Sequence, residues 1–193
     1  MAVTELFDVV MTHNEVPKDP RGTLLIWWAA RFAELGFMPS YGPGDHGNLS
    51  CRTPMGLLIT ARQTSKAALR QEQLVEVIGM DSTTPTPTIR CRGLLPPSTD
   101  ALMHLLIYQR RPDIQAILHG HDTAALGKSQ ELSLPVTEHS AKTPSMDLIQ
   151  DACGLATQYD YFLMRDHGFL ALGTSIDDAG ELARQVCARA RSL

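Results

Sequence analysis

Residues 97–121 read PSTDALMHLLIYQRRPDIQAILHGH, and this stretch carries a helix, a strand and a chemical motif in series. Leu102, Leu105, Leu106 and Tyr108 supply much of the apolar surface of a helix predicted from Ser98 to about Arg110. Ile114 to His119 then reads as a buried strand that ends in His119-Gly120-His121. If the extended backbone persists through Gly120, period-two alternation turns both imidazoles to one face. Gly120 has no side chain to block a ligand or a neighbouring backbone. Two imidazoles on one face suit the borderline divalent metals: zinc, cobalt, iron or manganese. An isolated His-x-His also arises as ordinary core or surface histidines, so a third ligand is needed. His167, in a turn between two strands and followed by Gly168, is the best remaining candidate.

Outward from this stretch, the chain alternates strands and helices. Asp19 and Pro20 read as the cap and first residue of a helix carrying Leu24, Trp27, Trp28, Phe32 and Leu35, with Gly36 at its end. A Gly/Pro-rich loop fills 39–47, and strands are expected at 48–52, 56–60, 74–78 and 88–92. Downstream, Thr143-Pro144 opens a helix to Thr157, strands 161–164 and 169–172 flank Arg165-Asp166-His167-Gly168, and a last helix starts at Ser175. Asp177 and Asp178 in its first turn and arginines at its end suit the helix dipole. The expectation is an α/β or α+β fold, layered on one sheet, as a single domain over residues 1–193.

Composition narrows the function classes. With 44% apolar and 20% charged residues the chain is globular rather than disordered or coiled coil. A formal net charge of −4 argues against nucleic acid as the main partner. Arg90/Arg92 and Arg110/Arg111 remain as basic spots for a small anion. No apolar run approaches the roughly 20 residues of a membrane span. Met1 to Val10, with Glu5 and Asp8, lacks the basic start of a signal peptide. A cytoplasmic protein with no membrane partner is expected. Cys51, Cys91, Cys153 and Cys187 lie far apart and read as ordinary, partly buried thiols. His13 and His46 are read as unrelated to the metal. His104 shares a helical face with Asp100 and reads as a hydrogen-bonding core histidine rather than a ligand.

Taken together, three stretches resemble the class II aldolase/adducin family. They are Gly47-Asn48-Leu49-Ser50, the segment from Pro97-Ser98-Thr99-Asp100 through Tyr108, Arg111-Pro112-Asp113 and His119-Gly120-His121, and His167-Gly168 with Leu170-Ala171-Leu172-Gly173. The resemblance spans about Arg21 to Arg191. It implies a three-layer α/β/α sandwich around a mostly antiparallel central sheet, commonly a homotetramer with active sites between subunits. It also implies a divalent metal, Zn²⁺ first with Mn²⁺, Co²⁺ or Fe²⁺ as the other choices, on His119, His121 and His167. Asp100 matches the family's acidic residue. Fuculose-phosphate-type aldolases carry glutamate there, and aspartate is more like the ribulose-phosphate 4-epimerase branch. It would serve as a ligand, or as an acid/base through water.

The family's phosphate pocket corresponds to Asn48, Ser98 and Thr99, where amide and hydroxyl donors join free N–H groups at a helix start. The aldolases' tyrosine proton donor corresponds to His139, after Pro135. Two departures stand out. The family's Pro and small-residue-plus-Gly turn is replaced by Ala61-Arg62-Gln63-Thr64-Ser65-Lys66, in which Arg62 and Lys66 are cations able to take an anion. The epimerase branch's His-Ala-Asp-Tyr motif is absent. The implied activity is reversible aldol cleavage of a small sugar phosphate or hydroxy-acid through a metal-stabilised enediolate, with Asp100 moving a proton and His139 serving the departing aldehyde. Sugar-phosphate 4-epimerisation and decarboxylation would use the same site. A non-catalytic adducin-like scaffold is the reading from another class.

Overall fold

The strands Leu57–Thr60, Ala116–Gly120, Tyr161–Met164 and Gly168–Gly173 are buried at every position. A sheet whose strands have no wet face must be covered on both sides. The structure, a computed structural model describing residues 6–140 and 143–193, is built that way. Its strands are β1 (Asp8–His13), β2 (Asn48–Arg52), β3 (Leu57–Thr60), β4 (Leu74–Asp81), β5 (Thr88–Arg92), β6 (Ala116–Gly120), β7 (Tyr161–Met164) and β8 (Gly168–Gly173). Its helices are α1 (Gly22–Glu34), α2 (Ala101–Arg110), α3 (Thr123–Gly127), α4 (Met146–Ala156) and α5 (Ile176–Ser192). The eight strands form one sheet in the order β1-β5-β4-β3-β2-β6-β8-β7. Only β1 runs parallel to its neighbour, β5; every other pair is antiparallel.

Alternation along single strands divides the core in two. In β8, Leu170 and Leu172 face Leu102, Ile107, Leu148 and Ile149 of α2 and α4. Phe169 and Ala171 face the other way, toward Leu25, Trp28 and Phe32 of α1 and Ala183 of α5. The result is the α/β/α sandwich, with α2 and α4 on one side and α1, α3 and α5 on the other. Among the described residues no helix is long and apolar enough to cross a membrane.

Local chemistry moves some boundaries. The first helix begins at Gly22 with Arg21 as its cap residue, not at Pro20. Asp19 is diverted from capping because its carboxylate accepts from the Arg21 backbone N–H at 2.9 Å and from the guanidinium at 2.9 and 2.6 Å. At the other end Gly36 has φ +80°, and the N–H groups of Gly36 and Phe37 donate to the carbonyls of Ala33 and Phe32. That is the Schellman stop expected of a glycine there. The fourth helix starts at Met146, capped by the Ser145 hydroxyl, rather than at Thr143. β1 and α3 have no counterpart in the sequence reading. β1 is mostly exposed and lacks alternation, and α3 is a short helix capped by Asp122. One arginine of each basic spot is a structural tie. Arg92 pairs with Glu15 and Glu76, and Arg111 clamps Asp113 and Asp160 while donating to the Ala156 carbonyl. All four thiols are buried.

The α1–α5 contact has no slack. A Cβ on Gly180 would lie within 2.5 Å of the Trp28 ring carbons Cδ2 and Cε3. The indole cannot retreat, because its Nε1 donates to Asp177 Oδ1 at 2.7 Å and its ring abuts Trp27 and Phe32. Gly180→Ala gains about 1 kcal/mol of helix propensity, while overpacking costs ~1–3 kcal/mol. We expect a net loss of about 1 kcal/mol in urea unfolding. An unchanged or higher midpoint would show that the two helices can part.

Candidate active site

The cavity lies where β2 begins beside the end of β6. Their antiparallel register sets Asn48 directly opposite His119. Gly47, just before β2, has φ +80°, and a Cβ there would lie 2.8 Å from the His119 carbonyl oxygen, so the Gly-Asn pair is required by the close approach of the two strands. On the other side of β6, the β7–β8 turn brings in His167. Gly168 permits this, since a Cβ at that position would press on the Gly120 backbone and come within 3.0 Å of the His119 ring.

His119, His121 and His167 form a near-equilateral triangle, with ring centroids 4.9, 5.0 and 5.1 Å apart. One ring nitrogen from each lies within 4.8 Å of the others, so the set can hold a divalent cation. Three further observations fit such an ion. His119 Nδ1 sits 2.8 Å from the Phe169 carbonyl, which can only accept; the proton is therefore on Nδ1 and the Nε2 lone pair is free. His167 is buried, yet both its ring nitrogens lack a hydrogen-bond partner among the described residues, which interiors rarely tolerate. Burial, reinforced by the neighbouring rings, holds His119 well below the usual imidazole range and His121 at about 2, so both stay neutral and able to ligate.

Asp100 stands at the start of α2, 5% exposed, with Oδ2 3.9 Å from His119 Nε2. Asn48 Nδ2 donates to that same oxygen at 2.6 Å, while Oδ1 has no hydrogen-bond partner among the described residues. Beneath it lies a buried polar chain: Ser50 Oγ is 2.8 Å from His104 Nδ1 and 2.9 Å from the Tyr108 hydroxyl. Burial pushes His104 down to about 4, so it is a neutral, hydrogen-bonded core residue.

Ser98 and Thr99 line the same cavity of about 450 Å³. Ser98 Oγ accepts the Asp100 N–H at 3.2 Å. The structure thus gathers His119, His121, His167, Asp100, Asn48, Ser98 and Thr99 around one space. It does not bring His139 there. Thr137 N–H donates to the Leu163 carbonyl, which runs this segment along β7, and His139 is exposed with Nδ1 3.1 Å from Asp151 Oδ2. That carboxylate raises the affinity of His139 for its proton.

Other cavity residues fall outside the sequence reading of the metal site. His46 packs 4.5 Å from Tyr41 and 4.9 Å from His121, and partial burial lowers its pKa. It lies in a Gly/Pro-rich loop where no periodicity marks it. Lys66 is only 1% exposed. Its Nζ donates to the Thr64 carbonyl at 3.0 Å and hydroxyl at 3.1 Å, and burial pushes its pKa down to about 8, with Asp45 partly opposing.

Residues 28–192 match the family model described as Class II Aldolase and Adducin N-terminal domain, and the chain belongs to this family. Among curated relatives, a methylthioribulose-1-phosphate dehydratase of Pseudoalteromonas translucida is 27% identical over 163 residues, covering 70% of this chain and 74% of the relative. An L-fuculose phosphate aldolase of Haemophilus influenzae is 26% identical over 158 residues, covering 74% of this chain and 69% of the relative. The crystal structure of l-fuculose-1-phosphate aldolase from Thermus thermophilus has the same fold, with a TM-score of 0.71 at 21% identity over 88% of this chain and 90% of that one. The protein is accordingly an enzyme of this family, a lyase of the class II aldolase type.

The buried ammonium sets a pH dependence. Below pH 8 Lys66 is charged in both the folded and the unfolded chain, and its full desolvation cost is present. Between about 8 and 10.5 only the unfolded chain holds that proton, so this group makes stability rise with pH. The ionisable groups on the surrounding cavity wall are Asp45, Arg62 and His46, and His46, its pKa lowered by burial, is neutral throughout that window. Relative to Lys66→Met, the wild type should gain on the order of 3 kcal/mol across that window. Parallel unfolding curves at each pH would refute the buried charge.

Proposed function

We propose that this enzyme cleaves a small hydroxy-ketone or hydroxy-acid bearing an anionic group, in a reversible metal-dependent aldol reaction. The observation that carries this reading is the convergence of three buried imidazoles beside one carboxylate in a single cavity. His119, His121 and His167 would hold the cation. An all-imidazole set with a carboxylate nearby favours zinc, with manganese, cobalt and iron as the other choices. When bound, the cation supplies Lewis-acid polarisation of a carbonyl and stabilises the negative charge that grows on its oxygen.

The chain's own residues do the rest. Asn48 pins Oδ2 of Asp100, leaving the unpartnered Oδ1 to take the proton of a substrate hydroxyl as the carbon–carbon bond breaks. The Phe169 carbonyl keeps His119 in the ligating tautomer. Ser98 and Thr99, at the start of α2, offer donors to an anionic group, with Asn48 beside them. His139 would act only on the pocket of a neighbouring copy, as in a tetramer with sites between subunits, protonating the departing aldehyde there.

Dehydration is the second reading. It needs the same polarised carbonyl and the same base, which passes the abstracted proton to the departing hydroxyl so that water leaves, but no aldehyde-side donor. The exposed position of His139 and the dehydratase relative favour it. Products separate the readings: aldol cleavage releases two carbonyl compounds, dehydration water and one unsaturated or rearranged ketone, epimerisation one isomer, and decarboxylation carbon dioxide.

Elemental mass spectrometry should find near-stoichiometric metal in the wild type and none in the His119→Ala/His121→Ala variant. Failure of the wild type to take up zinc, manganese, cobalt or iron would end the metal reading. Asp100→Asn should keep the metal and the fold while lowering kcat by roughly 10²- to 10⁴-fold. Undiminished turnover would remove Asp100 from the chemistry.

A further inference from the structure

Two of the imidazoles in the triangle are braced in different ways. The Phe169 carbonyl fixes the ring of His119 through Nδ1 at 2.8 Å. His121, the partly buried member, has its backbone N–H tied to the Phe37 carbonyl at 2.8 Å. Among the described residues, however, its ring nitrogens have no hydrogen-bond partner. Other rings touch it instead: His119 and His167 within the triangle, at 4.9 and 5.1 Å, and His46 from outside it, at 4.9 Å. Tyr41 packs on His46 in turn, with ring centroids 4.5 Å apart. The planes of these two outer pairs are tilted by 43° and 40°, at separations where aromatic rings attract. A row of three rings thus runs from Tyr41, 43% exposed at the cavity wall, to one corner of the triangle.

The 39–47 loop is built to hold these rings in place. His46 N–H donates to the Pro39 carbonyl at 2.9 Å, and Tyr41 N–H to the Gly44 carbonyl at 3.0 Å. Ser40 Oγ donates to that same Gly44 carbonyl at 3.3 Å. A Cβ on Gly47 would lie 2.4 Å from Met38 Sδ, and one on Gly44 would lie 2.6 Å from the Gln63 backbone carbon. His46 is therefore presented to His121 by a tightly packed frame. It is not itself part of the ligand set: among the described residues, only His119, His121 and His167 bring ring nitrogens within 4.8 Å of one another.

A ligand ring that must be ordered on binding weakens that binding, so a ring ordered beforehand binds better. Coordination also draws electron density out of an imidazole, and neighbouring π-faces favour the positive charge that results.

We propose that the Tyr41–His46 stack is the brace of His121, and that it raises the affinity of the site for its cation through ring contact alone. His46 is then a positioning residue, although its sequence context reads as unrelated to the metal. The inference rests on the metal reading above and goes beyond it, because it gives the 39–47 loop control over one corner of the triangle.

The test is metal affinity without turnover. Zinc and cobalt binding are measured by chelator competition for wild type, His46→Ala, His46→Phe, Tyr41→Ala and the Tyr41→Ala/His46→Ala double variant. The visible absorption of bound cobalt and the thermal unfolding of each metal-free protein are recorded alongside. His46→Ala should weaken binding about 3- to 10-fold and alter the cobalt spectrum. Its metal-free form should unfold within about 2 °C of wild type. His46→Phe should bind within about twofold of wild type, since an aromatic face without ring nitrogens still packs on His121. Tyr41→Ala should cause a smaller loss and add none to His46→Ala, because Tyr41 acts only through His46. Unaltered affinity in His46→Ala, with metal bound by wild type, would overturn the brace and leave the metal site standing. A His46→Phe variant as weak as His46→Ala would make His46 a ligand instead. A metal-free His46→Ala protein destabilised in proportion would make the residue a support of the fold, and would also overturn the brace. Absence of metal from wild type would overturn both readings.

Discussion

β6 is pinned between β2 and β8, and the site depends on that register. Asn48 faces His119 across one ladder and Leu170 faces His119 across the other. Slipping either pairing by one residue would turn His119 to the opposite face of the sheet, where Leu118 packs among aromatic side chains. The register is enforced from both sides of the sheet. Ile117 belongs to the core under α2 and α4, while Ala116 and Leu118 belong to the core under α1 and α5. Apolar burial over the whole length of β6 thereby sets the direction of the imidazole at its end. The functional geometry is a by-product of where leucines and isoleucines must go.

Beneath the cavity floor, polar groups are arranged differently from those elsewhere in the core. Asn48, Ser50, Asp100, His104 and His119 are all buried within one neighbourhood. Some of their atoms are tightly paired, such as Asn48 Nδ2 with Asp100 Oδ2 and Ser50 Oγ with His104 Nδ1. Others have no partner among the described residues: Asn48 Oδ1, Asp100 Oδ1, His104 Nε2 and both nitrogens of His167. Buried atoms without partners normally mark an error or a task. Here they cluster around the same three histidines, which points to a task.

Much of this architecture is legible in the sequence, for identifiable reasons. Strands 48–52, 88–92 and 161–164 match their predicted limits because residues of opposite burial or turn-forming residues bound them sharply. Helix starts were less legible. Asp19, Thr143 and Ser98 all look like caps, but Asp19 is captured by Arg21, Ser145 caps in place of Thr143, and the turn at Ser98 precedes a helix that begins at Ala101. The histidine triangle could be anticipated because a strand end and a His-Gly turn each carry a local signal. His46 and the buried state of Lys66 could not. Both lie in loops whose conformation is set by contacts distant in sequence, such as Asp45 with Thr64 and Lys66. His139 shows the limit from the other side, since a proline at a suitable spacing says nothing about which edge of the sheet the following residues will trace.

Phe169 shows how a site with so many unfavourable features is held. Its carbonyl fixes His119, and its ring lies 5.1, 5.3 and 5.9 Å from those of Phe37, Tyr161 and Phe32. The same cluster reaches through Phe32 to Trp28 and so to α5. Several strained or desolvated elements stand on the cavity side: Gln63 at positive φ, the buried ammonium of Lys66, and imidazoles kept neutral by burial. Each destabilises the fold, and together they weigh against a domain's small net stability. Aromatic side chains bury the most area per residue and pack with directional preference, so the cluster behind the triangle is the natural source of the offset. On this argument the wide apolar layer under α1 and α5 exists as much to hold His119 and its neighbours in an unfavourable arrangement as to make the protein fold.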